Sequence, residues 1–541
     1  MVIRRLRQEC TTGNILAWII RLAVPALEYA ACLFAKAGCC VGHGVRRPGA
    51  AAQTSSGRLP NIGDGNSMSI PQEKRLGESI MRQLMRDPDY MDDPMLVDYV
   101  QSIWQVLRQS ASQLGNLPPE LDETFSWDVL LVRDRSVNAF ALPGGFMGVH
   151  LGLIAVVSNT DELAAVMGHE LSHVTQRHIA RMQDSQAKQT PWLIGSFVLG
   201  VLAASRSPDA ANALIMGGTA GVAQGQLNFS RDMEREADRL GFAVSTHAGF
   251  QAQGVVSMFQ KLAQAARLND SGGFPYLRSH PLTTERIGDM QARIGASATS
   301  TQSQAGNFEH MMMAGRARAL MSTRVEDTDN LTKTYEAESL SGENNPLRQA
   351  TVAYAAAMAY AKQRHMTKAL AAANALSALV ANDPVAWRHA KWLVADLQRQ
   401  AGNASECLNM VQDTQPQRAW VLLRAQCQLA SQDKAMARRA ANDLQLWLAQ
   451  FPRDPLAWDV AAQIYQQIGQ PLQAIRADAE SRAVRWDEVA AIDRLRAGQD
   501  LAKRMSQQGQ LDLAAQQEAY IIDSRLRTLE RIRIEILRPQ P

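Results

Sequence analysis

Net charge of one sign is nearly absent from this 541-residue sequence: 56 Lys and Arg stand against 53 Asp and Glu, a formal balance of +3. Nucleic-acid binding draws on a basic surface that neutralises phosphates, so this balance does not suggest that class of partner and none is expected. The small excess is local. Residues 1–59 hold eight basic residues and only Glu9 and Glu28 as acids, which leaves the remainder at about −3. Cysteine is also scarce. Of six, Cys10, Cys32, Cys39 and Cys40 lie in the first forty residues, and only Cys407 and Cys427 lie in the body. The body has room for one disulfide in an oxidising compartment, with two buried thiols as the alternative. A separation of twenty suits a helix–turn–helix return. The two Cα atoms can then approach the roughly 4.4–6.8 Å that a disulfide needs, for a stabilisation of about 3 kcal/mol.

Long apolar runs are missing as well. Trp192–Ala204 and Ala210–Val222 are apolar and rich in small residues, but each is too short to span a bilayer. They read as a buried or lid-like helix pair, with peripheral membrane contact as the lesser reading. The N-terminus carries Arg4, Arg5 and Arg7 before a mostly apolar stretch, Ile15 to Ala37, that closes on the small-x-small Ala35-Lys36-Ala37. This is an export leader interrupted by Arg21, Glu28 and Lys36, and an uncleaved membrane anchor is the alternative. Gly42–Gly57 reads as a flexible linker. With 46% apolar residues, disorder as the global state is excluded.

The length predicts three to four domains. Ser69 to about Leu114 reads as helices. Phe125–Val132 alternates with a period of two, and Asn138–Leu142, Pro143-Gly144-Gly145 and Phe146–His150 read as strand, turn and strand, giving a small sheet with a hairpin. Asn159 and Glu162 form a capping-box pair ahead of one helix over Leu163–Ala180. From about residue 311 almost no strand signal remains. Ala381-Asn382-Asp383-Pro384-Val385-Ala386-Trp387 recurs 71 residues later as Phe451-Pro452-Arg453-Asp454-Pro455-Leu456-Ala457-Trp458, with Trp420 between them. The spacing and the small-residue helices predict tetratricopeptide helix pairs, with another α-solenoid or bundle as the alternative. Such arrays stack into a curved surface that holds peptides or partner helices.

Chemistry concentrates in His169-Glu170-Leu171-Ser172-His173. Residues i and i+4 stand about 40° apart around a helix, so both imidazoles point one way and take two corners of a tetrahedral zinc site. Glu170, rotated about 100°, reaches the water that such a site activates, which is the position of a general base. Two solvent-facing helical histidines are the bland alternative. About sixty residues on, Glu234 and Asp238 again share one helical face. One carboxylate would complete the site and the other would orient a ligand histidine. Ala237 leaves room for two helices to approach closely, while a solvated charged helix is the alternative. Asp232 and Glu236 each lie about 200° from Glu234 and are predicted to point away.

His169-Glu170-x-x-His173 followed by Glu234-x-x-Ala237-Asp238 resembles the gluzincin metallopeptidases related to the CAAX prenyl endopeptidases. Asn138-Ala139-Phe140-Ala141-Leu142-Pro143-Gly144-Gly145 and Ser279-His280-Pro281-Leu282-Thr283-x-Glu285-Arg286 match the same family. The resemblance spans roughly residues 60–541 and is strongest over 125–290. It implies an α+β zincin-like metallopeptidase domain with a small β-sheet, followed by an all-α tetratricopeptide-repeat solenoid. One Zn2+ per chain would be held by His169, His173 and Glu234, with Glu170 as base and Asp238 behind a ligand histidine. Arg286 would stabilise the oxyanion, and His280 would be a candidate fourth ligand that blocks the site. Substrate would add as a strand along Asn138, Ala139, Phe140 and Ala141.

The leader and repeats are similar to those of the periplasmic members of that family. Polypeptide substrates, misassembled outer-membrane β-barrel proteins above all, are then implied. So are docking of the barrel-assembly machinery on the repeats, and a periplasmic location with outer-membrane association. The domains expected are 1–59 as leader and linker, 60–310 as peptidase and 311–541 as repeats. The competing reading is a periplasmic chaperone or scaffold that works through its repeats over a latent protease site. His178, nine residues beyond His169, is predicted to lie near the opposite helix face as a surface residue. His150, His247, His310, His365 and His389 fit no ligand spacing.

Overall fold

Several helix starts among the described residues are set by a capping side chain, often with proline just inside. In the computed structural model, residues 68–184, 231–267, 275–295, 307–342, 344–413 and 415–537 are described. The leader, the linker, the apolar segments Trp192–Ala204 and Ala210–Val222, and Ser271–Gly273 lie outside them. Helix α1 (Ile70–Leu84) begins on a reciprocal Ser69–Gln72 box, and α2 (Pro94–Gln113) begins where Asp93 accepts the Leu96 N–H at 3.1 Å. Between them lies the two-residue strand β1 (Tyr90–Met91), and after them the short α3 (Pro119–Thr124).

The sheet is completed by β2 (Val129–Val132), β3 (Ala139–Leu142) and β4 (Phe146–His150), in the order β1-β2-β4-β3. β2 runs parallel to β4, while β3 returns antiparallel from it through Pro143-Gly144-Gly145. Gly144 and Gly145 have φ of +81° and +85°, which glycine adopts without steric cost. A Cβ on Gly145 would also lie 2.9 Å from the Phe125 Cβ. The predicted strand over Phe125–Val132 pairs only from Val129 on. Trp127 sits at φ +56° and turns its buried indole toward Trp104 and Phe125, donating to the Asp122 carbonyl at 3.0 Å. Core packing here overrides the alternating pattern.

Four helices then build the site: α4 (Leu151–Val156), α5 (Thr160–Thr175), α6 (His178–Asp184) and α7 (Arg231–His247). Asn159 caps α5 by accepting the Glu162 N–H at 2.9 Å. The single helix expected over Leu163–Ala180 is two, because Arg177 takes a left-handed φ of +53°. The Arg177 side chain fixes that break through Glu73 at 2.7 Å and the Met68 carbonyl. Next come α8 (Ala252–Arg267), the one-turn α9 (Tyr276–Ser279) and α10 (Thr284–Gly295).

Only helices follow among the described residues: α11 (Asn307–Met321), α12 (Val325–Ser341), α13 (Pro346–Lys362), α14 (Met366–Leu379), α15 (Pro384–Gln400), α16 (Ala404–Met410), α17 (Arg418–Ala430), α18 (Lys434–Gln450), α19 (Pro455–Gln467), α20 (Pro471–Val484), α21 (Glu488–Gln507) and α22 (Leu513–Leu537). The recurring Asp-Pro of the sequence repeat is a helix start. Asp383 accepts the Val385 and Ala386 N–H groups at 3.0 Å, and Asp454 accepts the Ala457 N–H at 3.1 Å. A disulfide joins the buried Cys407 on α16 to Cys427 on α17, with Cα atoms 5.7 Å apart.

A boundary at residue 310 would cut α11. That helix is tied to the sheet-bearing part, where His310 bridges the Tyr99 hydroxyl at 2.8 Å and the Val157 carbonyl at 2.9 Å. Arg316 grips both oxygens of Asp93 at 2.6 and 2.7 Å. One apolar core runs from Leu96, Trp104 and Met147 through Leu163 and Tyr354 to Trp420. Arg418 adds a bidentate contact to Asp92 at 2.6 Å. Among the described residues no helix is long and apolar enough to cross a membrane.

Candidate active site

The site lies where α5 crosses α7, and two glycines set the crossing. A Cβ on Gly241 would stand 2.9 Å from the His169 nitrogen and 3.0 Å from the Gly168 carbonyl carbon. A Cβ on Gly168 would stand 2.5 Å from the Ser245 hydroxyl. Ala237 is fully buried in the same seam. The helices therefore meet backbone to backbone, which carries Glu234 and Asp238 onto His169 and His173. Gly241→Val is expected to force the seam apart, costing about 1–3 kcal/mol as overpacking does. A lowered Tm together with weaker zinc retention checks this, and an unchanged Tm would count against the glycine seam.

His169, His173, Glu234 and His280 offer ligand atoms within 4.8 Å of one another, all buried. The Nε2 atoms of His169 and His173 are 3.0 Å apart, and His169 Nε2 lies 3.3 Å from His280 Nδ1. Glu234 Oε1 lies 3.4 Å from His173 Nε2 and 2.9 Å from His280 Nδ1. Donors placed about 2.0–2.1 Å from a tetrahedral centre are about 3.3–3.4 Å apart, so these spacings bracket a zinc site. The donor set of imidazoles and one carboxylate suits that ion. Nitrogens that face one another at this range need a cation or a proton between them.

Glu170 is buried beside the cluster. Its Oε2 accepts the Ala141 N–H of β3 at 3.0 Å, while Oε1 has no hydrogen-bond partner among the described residues and faces His280 Nε2 at 3.4 Å. β3 is the sheet edge nearest the site, and the Ala141 N–H points away from β4 toward Glu170. Asn138 and Ala139 are buried, and Phe140 and Ala141 are half-buried along the same edge.

Asp238 Oδ1 lies 3.0 Å from His169 Nδ1, so it orients that ring from behind. Arg286 donates to both Asp238 oxygens at 2.6 and 2.8 Å, to the Pro281 carbonyl at 2.8 Å, and pairs with Glu234 at 2.9 Å. The guanidinium is engaged here by two carboxylates and a carbonyl, which places it behind His169 and beside Glu234.

His178 corrects the surface placement expected for it. It is fully buried, because the break at Arg177 re-aims the chain, and its Nδ1 lies 2.9 Å from His173 Nδ1. Its Nε2 lies 3.2 Å from Glu236, which in turn pairs with Arg181 at 2.8 Å. Glu236 does point away from Glu234, but toward this histidine. No helical spacing could have revealed it, since the relation holds only across a break that the sequence does not mark.

Burial and neighbours divide the charges. Burial opposes ionisation of Glu234, yet His280 and the hydrogen bonds of His173 and His280 hold its carboxyl far below the usual range. Asp238, also opposed by burial, is held low by Arg286 and His169. Desolvation pushes His173 well down and His178 to about 4, so both rings are neutral, as a ligand and its partner must be. His280 is pulled down by burial, but the carboxylates of Glu234 and Glu170 raise it above its ordinary value.

Residues 100–294 match the family model described as Peptidase family M48. A protein of Vibrio cholerae, provisionally named a beta-barrel assembly-enhancing protease, is 37% identical over 246 residues, 45% of this chain and 49% of that relative. The beta-barrel assembly-enhancing protease of Escherichia coli K12 is 28% identical over 443 residues, 81% of this chain and 86% of its own length. The mitochondrial metalloendopeptidase OMA1 of Saccharomyces cerevisiae is 26% identical over 232 residues, 41% of this chain and 64% of that protein.

Proposed function

We propose, from a chain that residues 100–294 place in peptidase family M48 and that is a zinc metallopeptidase, that it is an endopeptidase acting on outer-membrane β-barrel polypeptides in the periplasm. The observation that carries the reading is the convergence of His169, His173, Glu234 and His280 beside Glu170. The names of the bacterial relatives support the substrate class. In this reading His169, His173 and Glu234 hold one zinc ion, and His280 takes the fourth position at rest. The paired helices α14–α21 act as tetratricopeptide repeats that dock the barrel-assembly machinery. In this reading the peptidase part takes in α11, which His310 and Arg316 tie to Tyr99, Val157 and Asp93, and the join to the repeats falls after it.

Bound zinc supplies Lewis acidity toward water and the scissile carbonyl. The protein supplies the rest. β3 offers its outer edge, apart from the Ala141 N–H held by Glu170, for an extended substrate to add as a strand, which brings one peptide bond past Glu170. Glu170, fixed at Oε2 by Ala141, takes a proton from water at Oε1 and returns it to the leaving amine. Asp238 and Arg286 hold the His169 ring, and the buried walls keep bulk water out.

The test combines metal analysis with substrate choice. The purified protein should hold one zinc per chain and cleave an unfolded outer-membrane barrel polypeptide faster than a folded globular control. No cleavage of either by a zinc-loaded, His280-substituted protein would overturn the endopeptidase reading. Glu234→Gln should lose zinc while Glu236→Gln keeps it at one per chain. Equal zinc in the two would refute Glu234 as the third ligand.

A further inference from the structure

The two histidines of the HExxH helix are supported from behind in different ways. His169 Nδ1 meets a carboxylate directly, Asp238 at 3.0 Å, and that carboxylate is held by Arg286. His173 Nδ1 meets a third imidazole, His178, at 2.9 Å, with the two rings edge to face at 79°. His178 Nε2 reaches Glu236 at 3.2 Å, and Glu236 is held by Arg181 at 2.8 Å. Each support ends in a carboxylate on α7 paired with an arginine. The one behind His173 is longer by one ring.

We propose that His178 and Glu236 form a positioning relay that fixes the tautomer and orientation of His173 as a metal ligand. The hydrogen-bond inventory gives the sense of the relay. A carboxylate only accepts, so His178 Nε2 carries the hydrogen donated to Glu236. A neutral His178 then has a lone pair at Nδ1 and accepts from His173 Nδ1–H. That leaves the lone pair of His173 at Nε2, the atom facing His169 and Glu234. The left-handed turn at Arg177 is what places His178 there, since a continuous helix would carry it round toward the opposite face. Burial of His178 excludes water as a substitute acceptor.

This relay rests on the reading of His173 as a ligand. The experiment therefore compares His178→Leu, His178→Asn, Glu236→Leu and His173→Ala in the full chain. Zinc affinity is measured by competition with a chelator, and ligand geometry by the visible spectrum of the cobalt-substituted protein. Leucine removes the acceptor, whereas asparagine places an oxygen near the former Nδ1. His178→Leu should bind zinc about 10–100-fold more weakly, the usual cost of losing such a support, with shifted cobalt bands. His178→Asn should recover most of the affinity and the spectrum. Glu236→Leu, at a partly exposed site, should weaken zinc in the same direction, and it decides the matter if His178→Leu does not fold. Wild-type affinity in His178→Leu, or in Glu236→Leu where His178→Leu is unfolded, would overturn the relay. Equal losses in His178→Leu and His178→Asn would overturn it as well, leaving only packing. A His173→Ala protein that keeps stoichiometric zinc would instead refute the ligand reading beneath it.

Discussion

Glu170→Gln is expected to lower peptide-bond cleavage by about 10²–10⁴-fold, the range of a positioned general base, while leaving one zinc per chain. The geometry separates the two readouts. Glu170 is not among the four converging donors, and its Oε2 is occupied by the Ala141 N–H. Glutamine keeps the shape, and its amide oxygen can still accept from Ala141, so the strand and the metal set should be undisturbed. What is lost is an oxygen able to take a proton. Zinc content by metal analysis and cleavage rate under saturating substrate check the prediction, and a rate within threefold of wild type would overturn the role of Glu170. Set against removal of residues 345–541, the same variant also weighs the scaffold reading. If cells carrying Glu170→Gln keep every function that the repeat deletion loses, the repeats are what matters and the protease is secondary.

How much of this site is legible in the sequence follows from its periodicities. His169, Glu170 and His173 share one unbroken helix, as do Glu234 and Asp238, so an angle of 100° per residue places them correctly. The hairpin at Gly144-Gly145 and the helix start at Asn159 are written in local turn and cap chemistry, and both stand where expected. The structure adds what depends on contact between elements. Gly168 and Gly241 are seventy-three residues apart in sequence, and only their meeting shows why each lacks a side chain. Trp127 leaves the strand because its indole finds Trp104 and Phe125. His178 fails the helical argument because Arg177, held by Glu73, ends the helix. Arg286 carried an expected role by resemblance. Its two carboxylate partners, forty-eight and fifty-two residues away, are visible only once α7 and α10 meet.

His280→Ala is expected to raise basal proteolysis while zinc content stays near one per chain. His280 sits between the two carboxylates of the site, with Nδ1 2.9 Å from Glu234 Oε1 and Nε2 3.4 Å from Glu170 Oε1. In that place its ring fills the space from which Glu170 would draw a proton. A zinc site with three protein ligands keeps its fourth position open for water, and a histidine there closes it. The ring is also held where it is: it stacks on Tyr276 at 4.6 Å, and Arg286 fixes the adjoining Pro281 carbonyl. If His280 closes the site in this way, its ring has to leave before Glu170 can act on water. Activity scales with the fraction of molecules that are open, so a protein resting nine-tenths closed would gain about tenfold when the ring is removed. Three ligands remain in His280→Ala, so zinc loss should be small beside that in Glu234→Gln. Cleavage of an unfolded polypeptide and the rate of self-cleavage measure the gain. Unchanged activity with unchanged zinc would mean that His280 already leaves the site unaided, and the closed state would then have no regulatory weight.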